Sequence, residues 1–321
     1  IIGGTGTIST SVVNYFQDKK IQLTILNRQK NSHRIVNQKK NKSIKIDYYK
    51  SSKDNILKLL DNYYDFVINF NIFDEEQSLR DIDIFKDKTK KYFFISSTAI
   101  FADEDIINEN TSKSNKWLYA KNKIKCEQIF KNEFEKNEFP IIIIRPSHTV
   151  NDFTFPTHIQ GLGFGINKLI NLNKKIITFK NTNKYWSFIS SIDFAKIMYK
   201  ILMNKDAIGN DFNVVNEDYF YWNKYFETIE DLFQKKINIV YENNSFFSQF
   251  SKNIHDSIVF DKLRNRKFDT TKLNKFNVNI QKKMNYKQIM ENSYDWHLNK
   301  SNQYKIIFNK TILNKYLDLT K

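Results

Sequence analysis

The first 145 residues alternate short apolar runs with stretches of helical periodicity. The runs are rich in β-branched and aromatic residues, which favour buried strands. Predicted strands cover residues 1–2, 22–26, 43–47, 65–70, 91–97 and 140–146, and predicted helices cover residues 10–17, 75–85 and 116–134. Strands this apolar, separated by helices, predict a parallel sheet that is covered on both faces. We therefore expect a doubly wound α/β fold.

The alternation loosens after residue 146. Gly161, Gly163 and Gly165 precede a predicted helix, and residues 247–321 mix helical and loop patterns. Further predicted strands cover residues 177–179, 187–190, 212–215 and 238–241, and helices cover residues 193–203 and 222–233. We expect a first domain over residues 1–150 and a smaller lobe over residues 151–321, with some segments of the lobe returning to the first sheet.

Composition limits the class of protein. The chain has 321 residues, of which 40% are hydrophobic and 27% are charged, as is ordinary for a globular protein. No apolar run approaches the roughly 18 residues of a membrane span, and the first residues match neither a signal nor a transit peptide. We therefore expect a cytoplasmic protein. Because the chain starts on apolar residues without a methionine, we expect a few residues of the first strand to precede Ile1.

The net charge of +16 would suit a nucleic-acid partner. Lysine, asparagine and isoleucine are over-represented throughout, as an AT-rich coding bias produces, so we interpret the charge as compositional and do not expect nucleic acid. The single cysteine, Cys126, excludes an internal disulfide. The five histidines show no ligand spacing, so we expect no metal site.

The segment IIGGTGTIST at the N-terminus holds three of the seven glycines. Gly3 would permit a tight turn after the first strand. Gly6 would let the backbone approach a pyrophosphate at the helix N-terminus, where free N–H groups and the helix dipole favour anions. Ser9 stands where a third glycine is usual and allows somewhat less close helix packing. The segment predicts a dinucleotide site.

The second predicted strand ends at Asn27 and Arg28. In dinucleotide-binding folds an acidic residue at this point binds the ribose 2′-OH of NAD, whereas an arginine accommodates the 2′-phosphate of NADP. Since Asn27 is uncharged and Arg28 is cationic, the pattern favours NADP, with NAD as the alternative. Arg28 could also be an ordinary surface residue.

Tyr119 and Lys123 are four residues apart in the predicted helix 116–134, so their side chains share one face. An ammonium beside a phenol stabilises the phenolate and would lower the pKa of Tyr119, which suits a general acid and base. Ser96 and Ser97 end the preceding strand, and a hydroxyl there could hydrogen-bond the oxygen that exchanges a proton with Tyr119. The combination predicts an active site.

Together these motifs resemble those of the extended short-chain dehydrogenases/reductases, specifically the NAD-dependent epimerase/dehydratase family. The resemblance covers nearly the whole chain. It implies a Rossmann-type domain over residues 1–150 that binds NAD(P), a substrate-binding lobe over residues 151–321, and a homodimer formed through paired long helices. The matching segments are GGTGTIS (3–9), LNR (26–28), FISSTAIF (94–101), YAKNK (119–123), RPSH (145–148), SFISSIDFAK (187–196) and FNVVNEDYFYW (212–222).

The resemblance also implies roles for individual residues. Ser97, Tyr119 and Lys123 would be the catalytic set, with Thr98 as the alternative to Ser97. The expected cofactor contacts are Gly3, Gly4, Thr5, Gly6, Thr7, Ile8, Asn27, Arg28, Asp47, Phe70, Pro146 and Ser147, and the expected substrate contacts are Thr98, His148 and Trp186.

Two departures from the family pattern concern the reacting end of the substrate. Thr98 and Ala99 stand where the dehydratases and decarboxylases of the family place acidic residues, which argues against those two mechanisms. His148 stands where many members have an asparagine that holds the substrate. It could bind substrate or shuttle a proton, because the ordinary pKa of histidine lies near neutrality. It could equally be a hydrogen-bonded residue of the wall.

A third departure concerns charge. Trp186 stands where many members carry an arginine that clamps a diphosphate, and an indole cannot replace that planar cation. The substrate could therefore lack a nucleotide diphosphate, unless Lys184 or the pair Arg264 and Arg266 supplies the charge.

Two functions fit the sequence. The first is an NAD(P)-dependent epimerase/dehydratase-like oxidoreductase that acts on a sugar, sugar nucleotide or related polyol by hydride transfer, with Tyr119 as acid and base. The second is a nucleotide-binding protein that has lost catalysis and binds RNA or a protein partner. The complete set of Ser97, Tyr119 and Lys123 favours the enzyme, since a binding protein need not keep it.

Overall fold

The computed structural model of the protein describes residues 1–36, 41–60, 63–300 and 308–320, which form a mixed α/β fold. The strands are β1 (Thr24–Asn27), β2 (Lys42–Lys45), β3 (Val67–Asn69), β4 (Tyr92–Ile95), β5 (Ile141–Pro146), β6 (His148–Val150), β7 (Ile176–Phe179), β8 (Tyr185–Trp186), β9 (Phe188–Ser190), β10 (Asp211–Val214), β11 (Phe220–Tyr221) and β12 (Ile239–Glu242). The helices are α1 (Ser9–Asp18), α2 (Lys53–Leu59), α3 (Glu75–Phe85), α4 (Leu118–Asn137), α5 (Gly165–Asn171), α6 (Ser191–Met203), α7 (Trp222–Phe233), α8 (Lys252–Ser257), α9 (Thr271–Lys275), α10 (Tyr286–Lys300) and α11 (Lys310–Leu319).

A parallel sheet forms the centre of the fold, in the order β2-β1-Ile2-β3-β4-β5-β10. Ile2 pairs with Leu26 of β1 on one side and with Asn69 of β3 on the other. The strand order reverses at Ile2, and at such a point the carboxyl ends of the strands open a crevice for ligands. The predicted doubly wound, Rossmann-type fold is confirmed.

The two faces of the sheet follow the alternation of side chains along β4. Phe93 and Ile95 pack into one buried cluster with α1 and α6, whereas Tyr92 and Phe94 pack into the opposite cluster with α3 and α4. All of β4 is buried, as its continuous apolar run predicts. Helix α3 has the predicted bounds, and α4 extends to Asn137, beyond the predicted end at residue 134.

A buried ion-pair network joins α4, β5 and β10. Arg145 donates to both carboxylate oxygens of Glu127, at 2.7 and 2.9 Å, and to Asp211 at 2.8 Å. The side chains of Arg145 and Glu127 are fully buried. Ser96 donates to Glu127 at 2.7 Å. The network therefore fixes the chain at the end of β4, where Ser97 follows.

The residues after 150 build a lobe around an aromatic core that includes Phe179, Trp186, Trp222 and Tyr225. Strand β6, which ends at residue 150, pairs in parallel with β9 of the lobe. Within the lobe β7 pairs with β12 in parallel, and β8 pairs with β11 antiparallel. Helix α6 and strand β10 return from this half of the chain to the first sheet. The domain boundary at residue 150 stays a prediction.

The sequence pattern misses the shortest elements. Strands β8 and β11 have two residues each and β6 has three, which is too short for a period to appear. Helix α2 is also missed. Within the described ranges, no helix is long and apolar enough to cross a membrane.

Candidate active site

A cavity of about 970 Å³ lies at the carboxyl ends of β3, β4 and β5, between the sheet and the lobe. This is near the upper end of the roughly 300–1,000 Å³ of small-molecule sites. Predicted site residues that line it are Gly3, Gly6, Thr7, Ile8, Phe70, Ser97, Thr98, Tyr119, Lys123, Pro146, Ser147 and His148. Those outside the lining formed by the described residues are Gly4, Thr5, Asn27, Arg28, Asp47 and Trp186.

The glycine turn closes one end of the cavity. Gly3 has a φ of +85°, and a Cβ there would lie 2.5 Å from the side-chain nitrogen of Asn71, so only glycine fits. Ser9 donates to the Gly3 carbonyl at 2.7 Å and accepts from the Gly6 amide at 2.8 Å. The Ser9 hydroxyl therefore fastens the turn, a role that the sequence does not predict.

The residues of this end fit a dinucleotide. Helix α1 begins at Ser9, and in the described part of the chain the amides of Thr7 and Ile8 just before it have no intramolecular acceptor. Free amides at a helix N-terminus bind phosphate. The buried hydroxyl of Ser147 also lacks a partner among the described residues and lines the same cavity. Backbone and side-chain donors are thus available where a cofactor would lie.

The residues predicted to contact the adenosine half lie around the ends of β1 and β2. Asn27 is buried, and its side-chain oxygen accepts from the Gln29 amide at 2.7 Å. Arg28 is exposed. Asp47 is half-buried, and its carbonyl accepts from the amide of Ser51 at 3.1 Å in a turn. Of these three, Arg28 alone presents a cation to solvent.

Arg34 lies near the glycine turn and is not predicted from the sequence. Arg34 donates to the Thr5 carbonyl at 3.1 Å, and its guanidinium lies 4.8 Å from the ring centroid of Phe153. It joins the Rossmann-type half to the lobe at the edge of the turn. Its neighbourhood in sequence is polar and irregular, so the sequence carries no signal for this contact.

Ser97, Tyr119 and Lys123 converge on the cavity from the end of β4 and the first turns of α4. The Ser97 hydroxyl lies close enough to the Tyr119 phenol to lower its pKa. The Lys123 ammonium donates to the carbonyls of Ile72 and Ile95, at 2.6 and 2.8 Å. It lies 5.9 Å from the centroid of the Tyr119 ring. The spacing of four residues thus places the two side chains on one face, as the sequence predicts.

The protonation state of Tyr119 differs from the expectation. Burial raises the pKa of Tyr119, the nearby Ser97 hydroxyl opposes the rise, and the carboxylate of Asp261 adds to it. The expected lowering by Lys123 is wrong, because that ammonium is held by two carbonyls rather than by the phenol oxygen. Burial lowers the pKa of Lys123 to about 8. At neutral pH the phenol therefore carries its proton and is a hydrogen-bond donor.

The three candidate hydroxyl groups at the end of β4 have different hydrogen-bond partners. Thr98 is buried and donates to the Pro146 carbonyl at 3.3 Å. Ser96 donates to Glu127. Ser97 instead accepts from the Ala99 amide at 3.2 Å and meets Tyr119, so it is the hydroxyl placed at the phenol.

On the lobe side, His148 and Lys262 share one aromatic neighbour. The His148 ring lies 4.8 Å from the Trp186 ring, and the Lys262 ammonium lies 5.2 Å from the same indole. Trp186 is 1% exposed and does not line the cavity formed by the described residues, so direct substrate contact by Trp186 is wrong. The indole instead supports His148 and Lys262, which do line it.

Asp261 and Lys262 are cavity residues that are not predicted from the sequence. They lie on a π-helical turn over Ile258–Lys262 that follows α8. The available signal is a charged pair at the end of the apolar run 258–260, and it is weak in a chain with 51 lysines and arginines. Burial lowers the pKa of His148, and the Lys262 ammonium lowers it further, so the imidazole is neutral at pH 7.

The cations that the sequence offers for a diphosphate are engaged elsewhere. Lys184 pairs with Asp103 at 3.1 Å. Arg264 donates to the Phe101 carbonyl at 3.3 Å, and Arg266 is buried and donates to Asp261 at 2.8 Å. In the lining that the described residues provide, the cationic side chains are Lys123 and Lys262. No group of three or more His, Cys, Asp or Glu in the described ranges could hold a metal ion.

Known proteins resemble this chain in sequence pattern and in fold. The model of a family described as the NAD dependent epimerase/dehydratase family matches residues 1–215. Among solved structures, an epimerase from Methanothermobacter thermautotrophicus aligns with a TM-score of 0.75 and 12% identity, over 94% of this chain and 92% of that one. No curated protein sequence matches.

Two further structures were solved with ligands. A dTDP-glucose 4,6-dehydratase from Bacillus anthracis in complex with NAD aligns with a TM-score of 0.73 and 15% identity, over 95% of this chain and 97% of that one. A UDP-glucuronic acid 4-epimerase from Bacillus cereus in complex with UDP-glucuronic acid and NAD aligns with a TM-score of 0.73 and 12% identity, over 92% of this chain and 97% of that one. At these identities the likeness shows a shared fold.

Proposed function

Because the chain belongs to the NAD-dependent epimerase/dehydratase family, we propose that it moves a hydride to or from one carbon of a sugar, sugar nucleotide or related polyol. One observation carries this proposal: Ser97, Tyr119 and Lys123 meet in the cavity that the glycine turn closes. Family membership makes the chain an enzyme of the short-chain dehydrogenase/reductase type, and the site residues supply the proposed mechanism.

The nicotinamide of a bound NAD(P) would accept or return the hydride. The residues proposed to hold the cofactor are Gly3, Gly6, Thr7 and Ile8 at the pyrophosphate and Phe70, Pro146 and Ser147 further along the cavity. The Lys123 ammonium donates two of its three N–H groups to carbonyls, and these two hydrogen bonds fix the direction of the third N–H. We assign that third donor to the cofactor ribose.

The chain's own acid and base chemistry is at Tyr119. Since burial raises its pKa, the phenol is protonated at neutral pH and donates a hydrogen bond to the substrate oxygen. When that oxygen becomes a hydroxyl the phenol gives up its proton, and when a hydroxyl is oxidised the phenolate takes the proton back. Ser97 holds the same oxygen by a second hydrogen bond. Epimerisation, reduction and oxidation share this step.

The substrate class rests on the neighbours and on the walls of the cavity. The two ligand-bound neighbours are named for dTDP-glucose and for UDP-glucuronic acid, which supports a sugar nucleotide as the substrate. Its diphosphate would then be held without Lys184, Arg264 or Arg266, which are engaged elsewhere. Thr98 and Ala99 carry no carboxyl group, and this opposes a 4,6-dehydration. We favour a redox step at one sugar carbon, in which the protonated phenol supplies the proton of a reduction and the reverse oxidation starts from the phenolate.

For the cofactor, family membership gives NAD dependence, and we propose a preference for NADP over NAD. Arg28 supports it, since this exposed cation follows the buried Asn27 at the end of β1, where a 2′-phosphate would be met. A cytoplasmic location and a homodimer formed through long helices stay predictions.

Replacing Tyr119 by phenylalanine tests the proposed function. Tyr119→Phe should lower turnover of a sugar-nucleotide substrate by at least about a hundredfold, because the proton donor is lost while packing is kept. Cofactor affinity, measured by quenching of intrinsic fluorescence, should stay within about twofold of wild type. Tyr185→Phe is the matched control, since that hydroxyl donates only to the Asp105 carbonyl. Unchanged turnover in Tyr119→Phe would remove Tyr119 from the mechanism.

A further inference from the structure

Lys262 is a buried cation that no described contact neutralises directly. Its side chain is part of a residue that is 4% exposed, and within the described ranges its ammonium has no hydrogen-bond acceptor and no ion pair closer than 4.0 Å. Burial lowers the pKa of Lys262, and Asp261 opposes this. The ammonium lines the cavity, so it is available to an anion that enters there.

The turn that carries Lys262 is built rigidly. Trp222 donates its indole N–H to the Lys262 carbonyl at 2.9 Å. The Leu263 amide donates to the Ile258 carbonyl at 2.8 Å, which closes the π-helical turn. Turns of this kind occur frequently at functional sites. The ammonium rests on the face of Trp186 at 5.2 Å, so its position is fixed at both ends of the side chain.

The carboxylate of Asp261, next to Lys262 in the chain, accepts a hydrogen bond from an arginine. Arg266 donates to Asp261 at 2.8 Å and to the Phe260 carbonyl at 3.1 Å. Arg266 therefore pairs with one oxygen of Asp261, and Asp261 lines the cavity beside Lys262. Lys262 is the cationic side chain that the described residues place on the lobe side of the cavity.

His148 completes a group of donors. Its ring lies on the same indole as Lys262 and is open to the cavity. As a neutral imidazole it donates one N–H without adding a second cation. An ammonium and an N–H donor beside the same indole could serve the two oxygens of a carboxylate.

The position of the group relative to the chemistry identifies what it meets. His148 begins β6 two residues after Pro146, and Asp261, the neighbour of Lys262, is close enough to Tyr119 to influence its ionisation. An anion held here would therefore lie at the Tyr119 end of the cavity. Such an anion belongs to the sugar ring and its substituents rather than to a distant part of the substrate.

We infer that Lys262 and His148 form a subsite for a carboxylate on the sugar, so that the enzyme acts on an acidic sugar of the hexuronate type. This inference rests on the proposed function, because it names the substrate class of the same cavity. The phosphates of a nucleotide sugar are the other source of negative charge, and the test separates the two sources.

The test measures binding and needs no turnover. NADP-loaded protein is titrated calorimetrically with UDP-glucuronate, UDP-glucose and UDP, since the first two differ only in a carboxylate against a hydroxymethyl group. Wild type should bind UDP-glucuronate at least about tenfold more tightly than UDP-glucose. Lys262→Met, which keeps an unbranched chain on Trp186, should abolish this preference and leave the affinities for UDP-glucose and UDP within about twofold.

Two further variants serve as controls. Lys262→Arg keeps the cation and should retain most of the preference, and Lys236→Met removes an exposed lobe lysine that is 91% accessible and should change nothing. An equal loss for all three ligands in Lys262→Met would assign the charge to a phosphate and overturn the inference. The inference is also overturned if wild type binds UDP-glucuronate and UDP-glucose equally, or binds neither. Failure of the proposed function would appear separately, as absent turnover with this binding pattern intact.

Discussion

Two buried lysines face one cavity from different halves of the molecule. Lys123 belongs to the sheet wall, which comprises Gly3, Ser97, Tyr119 and Lys123, and it is 2% exposed with two carbonyl acceptors. Lys262 belongs to the lobe wall, which comprises His148, Asp261 and Lys262, and it is 4% exposed with an indole face beneath it. The two lysines are similarly buried, but only the ammonium of Lys123 has its hydrogen bonds made by the described part of the protein.

This difference in hydrogen bonding suggests a different role for each wall of the cavity. A lysine whose hydrogen bonds are largely made inside the protein holds one orientation whatever else binds, which suits a fixed cofactor. A lysine without an acceptor gains most from a ligand that brings an anion, which suits selection among substrates. On this account the sheet wall performs the chemistry and the lobe wall chooses the sugar.

The largest expected effect comes from removing Arg145 from the buried ion-pair network beneath the sheet wall. Arg145→Met should lower the free energy of unfolding by about 3–5 kcal/mol, since Glu127 and Asp211 would lose a fully buried partner. Chemical denaturation measures this change. The control is Arg264→Met, because that half-buried arginine donates to one carbonyl and should cost only about 1 kcal/mol. Equal costs for the two variants would show that the network under Ser97 is not special.

The smallest expected effect concerns the choice of cofactor, at a residue outside both walls. Arg28→Ala should reduce the ratio of NADPH to NADH affinity by about three- to tenfold, because an exposed cation contributes modestly to binding a 2′-phosphate. Fluorescence titration with both nucleotides measures the ratio. The sugar preference should be unchanged. If wild type binds NADPH and NADH equally, Arg28 does not select the cofactor.

Much of the sheet wall is predictable from sequence because its signals are local. Gly3 and Gly6 follow a strand directly, and Tyr119 and Lys123 share one helix face by their spacing. Ser97 is found because it ends a buried strand. What local spacing cannot give is protonation: the pKa of Tyr119 is set by burial and by Asp261, which lies far along the chain.

The lobe wall is poorly predictable for the opposite reason. Lys262 acquires its role from Trp186 and Trp222, which reach it from separate parts of the chain. In a lysine-rich sequence one lysine after an apolar run has no distinguishing mark. Trp186 is noticed in the sequence as a missing arginine, but only the packing shows that it supports the neighbouring cation rather than the substrate.

The division between the walls is tested most directly by measuring two quantities in two variants. Calorimetry on Lys123→Met and Lys262→Met gives the NADP affinity and the preference for UDP-glucuronate over UDP-glucose. We expect Lys123→Met to weaken NADP by about tenfold and keep the sugar preference, and Lys262→Met to keep NADP affinity within about twofold and lose the preference. A loss of NADP affinity in Lys262→Met as large as in Lys123→Met would contradict the account.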